Sequence, residues 1–194
     1  MGFFKSIDYN KASDENLMEK VCKKNHHAFE ELFERYSQRL LRYFYSMLNY
    51  DEEKSQDFLQ DLFIKVLENA RYFDTNRKFS TWLYSIATNM CKNEYRKLAG
   101  KHFVSEEYIP EFDEIYSSGI TFNLDKKLLQ SELEKSIEQL GYKHKSVFIM
   151  RFQQELPIKE ISRIMSISEG TVKSRIFYSL KKLGELIPEF NPKN

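Results

Sequence analysis

Cysteine is nearly missing from this chain of 194 residues, with only Cys22 and Cys91. Two cysteines build no disulfide framework, and the scarcity suits a reducing, cytoplasmic setting. Cys22 and His26 have the i, i+4 spacing of a metal pair, but no second ligand pair accompanies them. Two ordinary helix residues account for that spacing, so no metal and no other cofactor is expected. No apolar run approaches the roughly 18–20 residues needed to span a bilayer. The first ten residues, MGFFKSIDYN, lack the sustained apolar core of a signal peptide. Gly2 and Ser6 match the short MGxxxS myristoylation pattern, which arises often by chance.

Catalytic signatures are missing as well. The sequence has no GxxxxGK[ST] phosphate loop, GxGxxG fingerprint, HExxH or GxSxG elbow. Its carboxylates are scattered over helical segments with no sequence reason for a buried pair. Nothing nominates an enzyme, and no small-molecule substrate is expected. There is no internal repeat, and the net charge of +1 gives no global basic signature. The distribution is more informative. Residues 1–102 carry net +2, residues 103–125 carry −6 with no basic residue, and residues 126–194 carry +5.

What is present is helical periodicity. A short helix is expected over about 13–25, and a longer, aromatic-rich one over 28–50 whose aromatics at 29, 33, 36, 43, 44 and 45 read as core. Asp51-Glu52-Glu53 opens a third helix, about 52–69, with acid where the macrodipole favours it. Its apolar half holds Phe58, Leu59, Leu62, Phe63, Val66 and Leu67; opposite lie Asp57, Asp61 and Glu68, with Ile64 among them. An acidic stripe enclosing an apolar residue suits a basic, partly apolar protein partner. A solvated helix with one exposed Ile accounts for it equally well.

Residues 70–78 read as a loop holding Asp74 and Asn76. The stretch FSTWLYSIATNMCKNEYRK follows, with Phe79, Leu83, Ile86, Ala87 and Met90 as a core arc. Thr81, Ser85, Thr88, Asn89, Lys92, Asn93 and Arg96 form the opposite arc, with Trp82 within it or at its edge. A Trp sharing a face with Asn, Lys and Arg suits stacking on unpaired bases, worth about 1–3 kcal/mol per base. Sideways packing on a neighbouring helix is the alternative for Trp82. From about 102 to 124 the chain is acidic and aromatic without helical or strand period, and reads as a linker. Its apolar side chains between Tyr108 and Phe122 are candidates for docking on binding.

Helix resumes from Asp125 to Leu140, with Gly141 ending it, and again from Lys143 to Phe152. Pro157 then stands at the start of a helix, where a missing N–H costs least. The stretch IKEISRIMSISEGTVKSRIFYSLKKL, 158–183, reads as two short helices around Ser166-Ile167-Ser168. Ser168 is the natural N-cap of the second, whose apolar stripe is Val172, Ile176, Leu180 and Leu183. This is the pattern of a helix-turn-helix. Gly170, Lys173, Ser174, Phe177 and Lys181 project away from the stripe on an arc with no carboxylate. Lysines there suit phosphates, and an exposed Phe suits thymine methyls. A solvated face of an ordinary helical hairpin explains the same residues.

The order of these patterns, together with QDFLQDLFIKV (56–66), FSTWLYSIATNMCKNEYRK (79–97) and SEGTVKSRI (168–176), resembles bacterial sigma factors. The resemblance is to the small, two-domain extracytoplasmic-function class of the sigma-70 family and covers about residues 13–187. It implies an all-α fold. Residues 1–102 would form a region 2-type bundle, 103–125 the acidic linker, and 126–194 a region 4-type helix-turn-helix domain. Asp57, Asp61, Ile64 and Glu68 would bind the clamp helices of the largest subunit of core RNA polymerase. Asn76, Trp82, Ser85, Asn89, Lys92, Asn93 and Arg96 would hold the melted promoter −10 strand. Gly170, Thr171, Lys173, Ser174, Arg175, Phe177, Tyr178 and Lys181 would read the −35 element in the major groove. The family further implies contact with the polymerase flap, an acidic linker threading basic polymerase channels, and an anti-sigma partner. One departure stands out: Tyr178, Ser179 and Leu180 occupy positions where the family usually carries an Arg-Ala pair and often another Arg. A contact expected from Arg is therefore absent or moved to Lys181 and Lys182. Two competitors are a stand-alone helix-turn-helix regulator on a palindromic operator and a helical interaction module without a DNA role. The first leaves the Ile64 stripe and the Trp82 face unexplained.

Overall fold

The computed structural model describes residues 9–99 and 128–187. The linker with its docking side chains, the Gly2–Ser6 pattern, the first residues of the helix expected from Asp125 and the tail beyond Ile187 lie outside them. Among the described residues the ordered elements are helical, with no strand.

The first half holds α1 (Asp14–Cys22), α2 (His26–Met47), α3 (Glu52–Glu68) and α4 (Phe79–Ala99). Their starts follow from short polar caps. Ser13 Oγ accepts from the Asn16 N–H at 3.2 Å, Asn25 Oδ1 from Ala28 at 2.9 Å, and Asp51 Oδ1 from Lys54 at 3.0 Å. Each cap satisfies a backbone donor that the helix itself leaves without a partner. Leu17, Met18, Leu32, Leu40, Tyr43, Phe44, Leu62, Val66, Phe79 and Leu83 are buried together and join the four helices. Arg35 ties down the N-terminal turn: it donates to the carbonyls of Tyr9, Asn10 and Ala12 and pairs with Asp14 and Glu31.

The second half holds α5 (Leu128–Glu138), α6 (Tyr142–Phe148), α7 (Ile158–Met165) and α8 (Glu169–Leu186). Gly141 does not end α5 in a left-handed turn, contrary to expectation. Its backbone is extended (φ −61°, ψ 153°) and it caps the start of α6, its carbonyl accepting from Lys145 N–H at 2.9 Å. Nor is Lys143–Phe152 one α-helix, because residues Ile149–Gln153 widen into a π-helical turn. That turn aims Gln154 inward, where it is buried.

Two expectations about the core are corrected. Phe33 and Tyr45, assigned to the interior, are each 40% exposed. Their rings rest on Phe63 (centroids 4.8 Å apart) and Tyr50 (5.3 Å), so each covers core rather than entering it. Leu67, placed on the apolar half of α3, is 49% exposed because Leu62, Phe63 and Val66 already fill the contact with α2. Replacing Ser168 by Ala, which removes the cap of α8, is expected to cost about 1 kcal/mol. Chemical denaturation monitored by circular dichroism measures this, and an unchanged midpoint would show that the cap adds nothing.

Candidate nucleic-acid interface

The helix-turn-helix is built as its sequence implies. Ser166 adopts the left-handed conformation (φ 53°), and Ser162 Oγ donates to the Ile167 carbonyl at 2.6 Å. Ser168 Oγ accepts the Thr171 N–H at 3.0 Å. These bonds fix the angle at which α8 leaves α7. Gly170, Lys173, Phe177 and Lys181 are exposed on α8, and Thr171, Arg175 and Tyr178 are half-buried. Ser174 does not project outward: it is 4% exposed and its hydroxyl donates to the Thr171 carbonyl at 3.1 Å. One turn later on α8, Phe177 and Tyr178 pack edge to face with centroids 5.5 Å apart. Arg175 turns the other way, into a cleft shared with α4. Ser179, at the departure from the family pattern, is fully buried and donates to the carbonyls of His144 (3.1 Å) and Arg175 (2.7 Å). Ser179 stands at the small, Ala position of that pattern, while Tyr178 and Leu180, at its Arg positions, are half-buried.

On α3, Asp57, Asp61, Ile64 and Glu68 are all exposed, Ile64 at 52%. Leu67 and Phe33 extend this edge, so an apolar strip runs beside three carboxylates. The width of the strip was not legible, since both residues fit a core position by spacing.

Asn76 is exposed in the loop before α4, where Asp74 Oδ1 accepts from its backbone and side-chain N–H groups, both at 3.0 Å. Those bonds hold the Asp74 carboxyl below its usual pKa. Asn89, Asn93 and Arg96 are exposed, and Lys92 is half-buried. Trp82 is half-buried too, with its ring 5.2 Å from Phe73 and 6.0 Å from Phe79. Sideways packing therefore occupies part of the Trp82 surface and leaves part open. Thr88 belongs to the core instead of the polar arc: it is 4% exposed and its hydroxyl lies 3.1 Å from that of Tyr43.

The early part of the polar arc of α4 is itself covered by the second half of the chain. Glu160 of α7 accepts from the hydroxyls of Ser80 (3.0 Å) and Thr81 (3.3 Å). Ser85 donates to the Ile164 carbonyl at 3.2 Å, and Tyr142 donates to the Thr88 carbonyl at 2.9 Å. Gln154 receives the Tyr84 hydroxyl on Oε1 at 2.8 Å and the Arg39 guanidinium on its carbonyl. Lys145 is 0% exposed and donates to Asn49 Oδ1 at 2.6 Å. Sequence reasoning missed Tyr84, Gln154 and Glu160, since each has an unremarkable local role and its partner lies some 70–80 positions away. Cys22 is likewise engaged, its thiol donating to the Ala70 carbonyl at 3.0 Å.

Lys145 makes this packing sensitive to pH. Burial pushes its pKa down to about 8, against the smaller opposing pull of Glu138 and Cys91. Between that value and the ordinary value of 10.5, the unfolded chain holds a proton that the folded chain has released. Stability from this residue therefore rises with pH across the window, by at most about 1.4 kcal/mol per pH unit. The difference in urea-unfolding free energy between the native chain and Lys145→Met should move in favour of the native chain from pH 8 to pH 10. A constant difference would show that Lys145 titrates as in water.

Two family models match the chain: sigma-70 region 2 over residues 32–100 and sigma-70 region 4 over residues 130–183. The ECF RNA polymerase sigma factor SigW of Bacillus subtilis is 32% identical over 168 residues, covering 82% of this chain and 88% of that protein. The ECF RNA polymerase sigma-E factor of Haemophilus influenzae is 30% identical over 173 residues, covering 85% and 90%. Among solved structures, CnrH in complex with the cytosolic domain of CnrY superposes with a TM-score of 0.68 at 20% identity, covering 92% of this chain and 99% of that one. The sigma factor RpoE in complex with the anti-sigma factor NepR, from Bartonella quintana, gives 0.62 at 20% identity, covering 82% and 96%. At such identity these two structures speak for the fold.

Proposed function

This chain belongs to the extracytoplasmic-function class of the sigma-70 family, and we propose from that premise how its faces divide the work of a sigma factor. It directs core RNA polymerase to −35/−10 promoters and initiates transcription there. Its own part is binding and positioning, without catalysis, and it acts in the cytoplasm.

The observation that carries the assignment is the separation of three surfaces of different chemistry on one chain. The α3 edge of Asp57, Asp61, Ile64, Glu68 and Leu67 is acidic and apolar, which suits the clamp helices of the polymerase largest subunit. The α8 face of Gly170, Lys173, Phe177 and Lys181, supported by Thr171 and Tyr178, has no carboxylate and follows a tight helix-turn-helix. It reads the −35 duplex in the major groove while the second domain rests on the polymerase flap. Ser174 supports that face from beneath. On α4 and the preceding loop, Asn76, Trp82, Ser85, Asn89, Lys92, Asn93 and Arg96 combine hydrogen-bond donors, two cations and a partly open indole. That combination suits an unstacked −10 strand, with a flipped base held in a pocket. An anti-sigma factor is the expected inhibitory partner, in line with the relatives whose structures are complexes of that kind.

The stand-alone regulator gains no support, because it gives no use to the α3 edge. Asp61→Lys is expected to weaken binding to core polymerase at least tenfold with the circular dichroism spectrum unchanged. Equal comigration of both proteins with core enzyme would remove α3 from the polymerase interface.

The packing of α7 on α4 adds a condition. Ser80, Thr81 and Ser85 donate to the second domain, so a −10 strand reaches this side of α4 only after the domains part. Glu160→Ala removes an acceptor for two hydroxyls and should shift the balance toward the open form by about 1–2 kcal/mol. In small-angle scattering the variant should show a larger radius of gyration. It should also form more open complex at limiting factor concentration. A variant as compact as the native chain would show that Glu160 does not hold the domains together.

A further inference from the structure

The cleft left between the packed domains is chemically unlike the rest of the contact. It has a volume of about 440 Å³ and is walled by α4, the start of α6, the α7–α8 turn and one residue of α8. That volume falls within the roughly 300–1,000 Å³ typical of small-molecule sites. Three cations from three helices line it: Lys92, Lys143 and Arg175. Among the described residues, no carboxylate does.

Several donors around the cleft are also unspent. Among the described residues, the side chains of Lys92, Lys143, Asn89 and Ser166 make no hydrogen bond or ion pair. They contrast with Ser85, Thr88 and Tyr142 in the same walls, each of which already has a protein partner. Holding Lys92 and Lys143 together in a half-enclosed cleft works against the packed arrangement unless an anion neutralises them. Ile164, Met165 and Ile167, at the end of α7 and in the turn, give the cleft an apolar part as well. A ligand that fits both parts has several negative charges at one end and a flat, largely apolar ring at the other.

We infer that this cleft binds a nucleoside di- or triphosphate, its phosphates held by Lys92, Lys143 and Arg175 and its base against Met165 and Ile167, and that the bound nucleotide holds the two domains together. DNA bound to a separated α4 does not substitute for it, because the cleft exists only while α4 and α7 are in contact. The ligand is an effector and not a substrate, since no chemistry is asked of it. Because it binds the packed form alone, it shifts the packed-to-open ratio about 100-fold at a free concentration 100 times its Kd. The inference rests on the proposed function only for the meaning of the shift, since opening is what exposes the α4 side contacts.

Lys143 provides the test, because it faces the cleft and has no part in the polymerase or promoter surfaces. Isothermal titration of the full chain with GTP and with ATP, in separate runs, should give saturable one-to-one binding of at least one nucleotide. Lys143→Gln should weaken that binding at least tenfold. Tripolyphosphate, which has the charges without the ring, should bind more weakly than the nucleotide. Small-angle scattering should show the Glu160→Ala chain regaining compactness when the nucleotide is added. Absence of heat with both nucleotides at millimolar concentration overturns the inference, as does affinity that Lys143→Gln leaves unchanged. Equal affinity for tripolyphosphate overturns the ring contact and with it the nucleotide assignment. Run-off transcription with core polymerase separates the two readings: a chain that initiates normally yet binds no nucleotide loses this inference and keeps its function.

Discussion

The carboxamide of Gln154 is the contact on which the closed arrangement turns. Gln154 is buried at the end of a π-helical turn, where its side-chain oxygen accepts from Tyr84 on α4 and its backbone carbonyl from Arg39 on α2, both in the other domain. A buried amide left unpaired costs about 1–3 kcal/mol, whereas a paired one contributes only about 1 kcal/mol net, because water replaces the lost partner on opening. The asymmetry has a structural consequence. The domains pack only in the one register that satisfies Gln154, yet parting them exposes groups that water solvates readily. Most of the directional contacts around Gln154 are of the same kind, through Ser80, Thr81, Ser85 and Tyr142. The apolar interior of the first domain, by contrast, has no such ready exchange with water.

Helix α4 thus answers to two demands at once. One side is fixed, with Phe79, Leu83, Tyr84, Ala87 and Cys91 buried against its neighbours. The other side is a row of small neutral donors, and neutrality is what makes it versatile. A hydroxyl satisfies the carboxylate of Glu160 or a backbone carbonyl, and it serves equally well toward oxygen acceptors on a nucleic acid. Lysines in those places would bind the strand more strongly but would oppose the approach of Lys143 and Arg175 from the second domain. The distribution of charge along α4 follows the same logic. Its first turns, under α7, are neutral, while Lys92 lines the cleft between the domains and Arg96 and Lys97 lie in the last turn.

Much of this was legible in the sequence where the cause was local. Ser168 caps α8, Asp51 caps α3, and the Ser166 break sets the helix-turn-helix, because each depends on residues within four positions of it. The exposed acidic edge of α3 was legible for the same reason, since helical spacing alone separates Asp57, Asp61 and Glu68 from Leu62 and Val66. What escaped was set by distant neighbours. Thr88 sits on a polar arc but finds Tyr43, 45 positions away, and becomes core. Ser174 points from the apolar stripe yet is buried, with its hydroxyl on the Thr171 carbonyl. Leu67 fits the apolar half of α3 but meets no partner there. Gly141 fits a helix terminator but serves as the start of the next helix, because α6 follows α5 too closely for a separate turn. Domain packing depends on Gln154 and Glu160, whose local signatures are those of a loop amide and a first-turn acid.

The pattern of what the closed chain hides and leaves open gives the order in which its surfaces come into use. Asp57, Asp61 and Ile64 on α3, and Lys173, Phe177 and Lys181 on α8, are exposed while the domains are packed. The early side of α4 is not, with Ser80, Thr81 and Ser85 committed to α7. On the proposed assignment of these faces, contact with the polymerase and with duplex −35 DNA needs no prior opening, whereas full capture of a melted strand does. Each domain is too small to hold DNA specifically by itself, and tethering to polymerase supplies the missing effective concentration. On the proposed assignment of these faces, attachment of the two domains at separate points on the enzyme would draw α7 from α4 and release the strand-holding face. A sigma factor built this way presents its single-strand surface only where a polymerase is already in place.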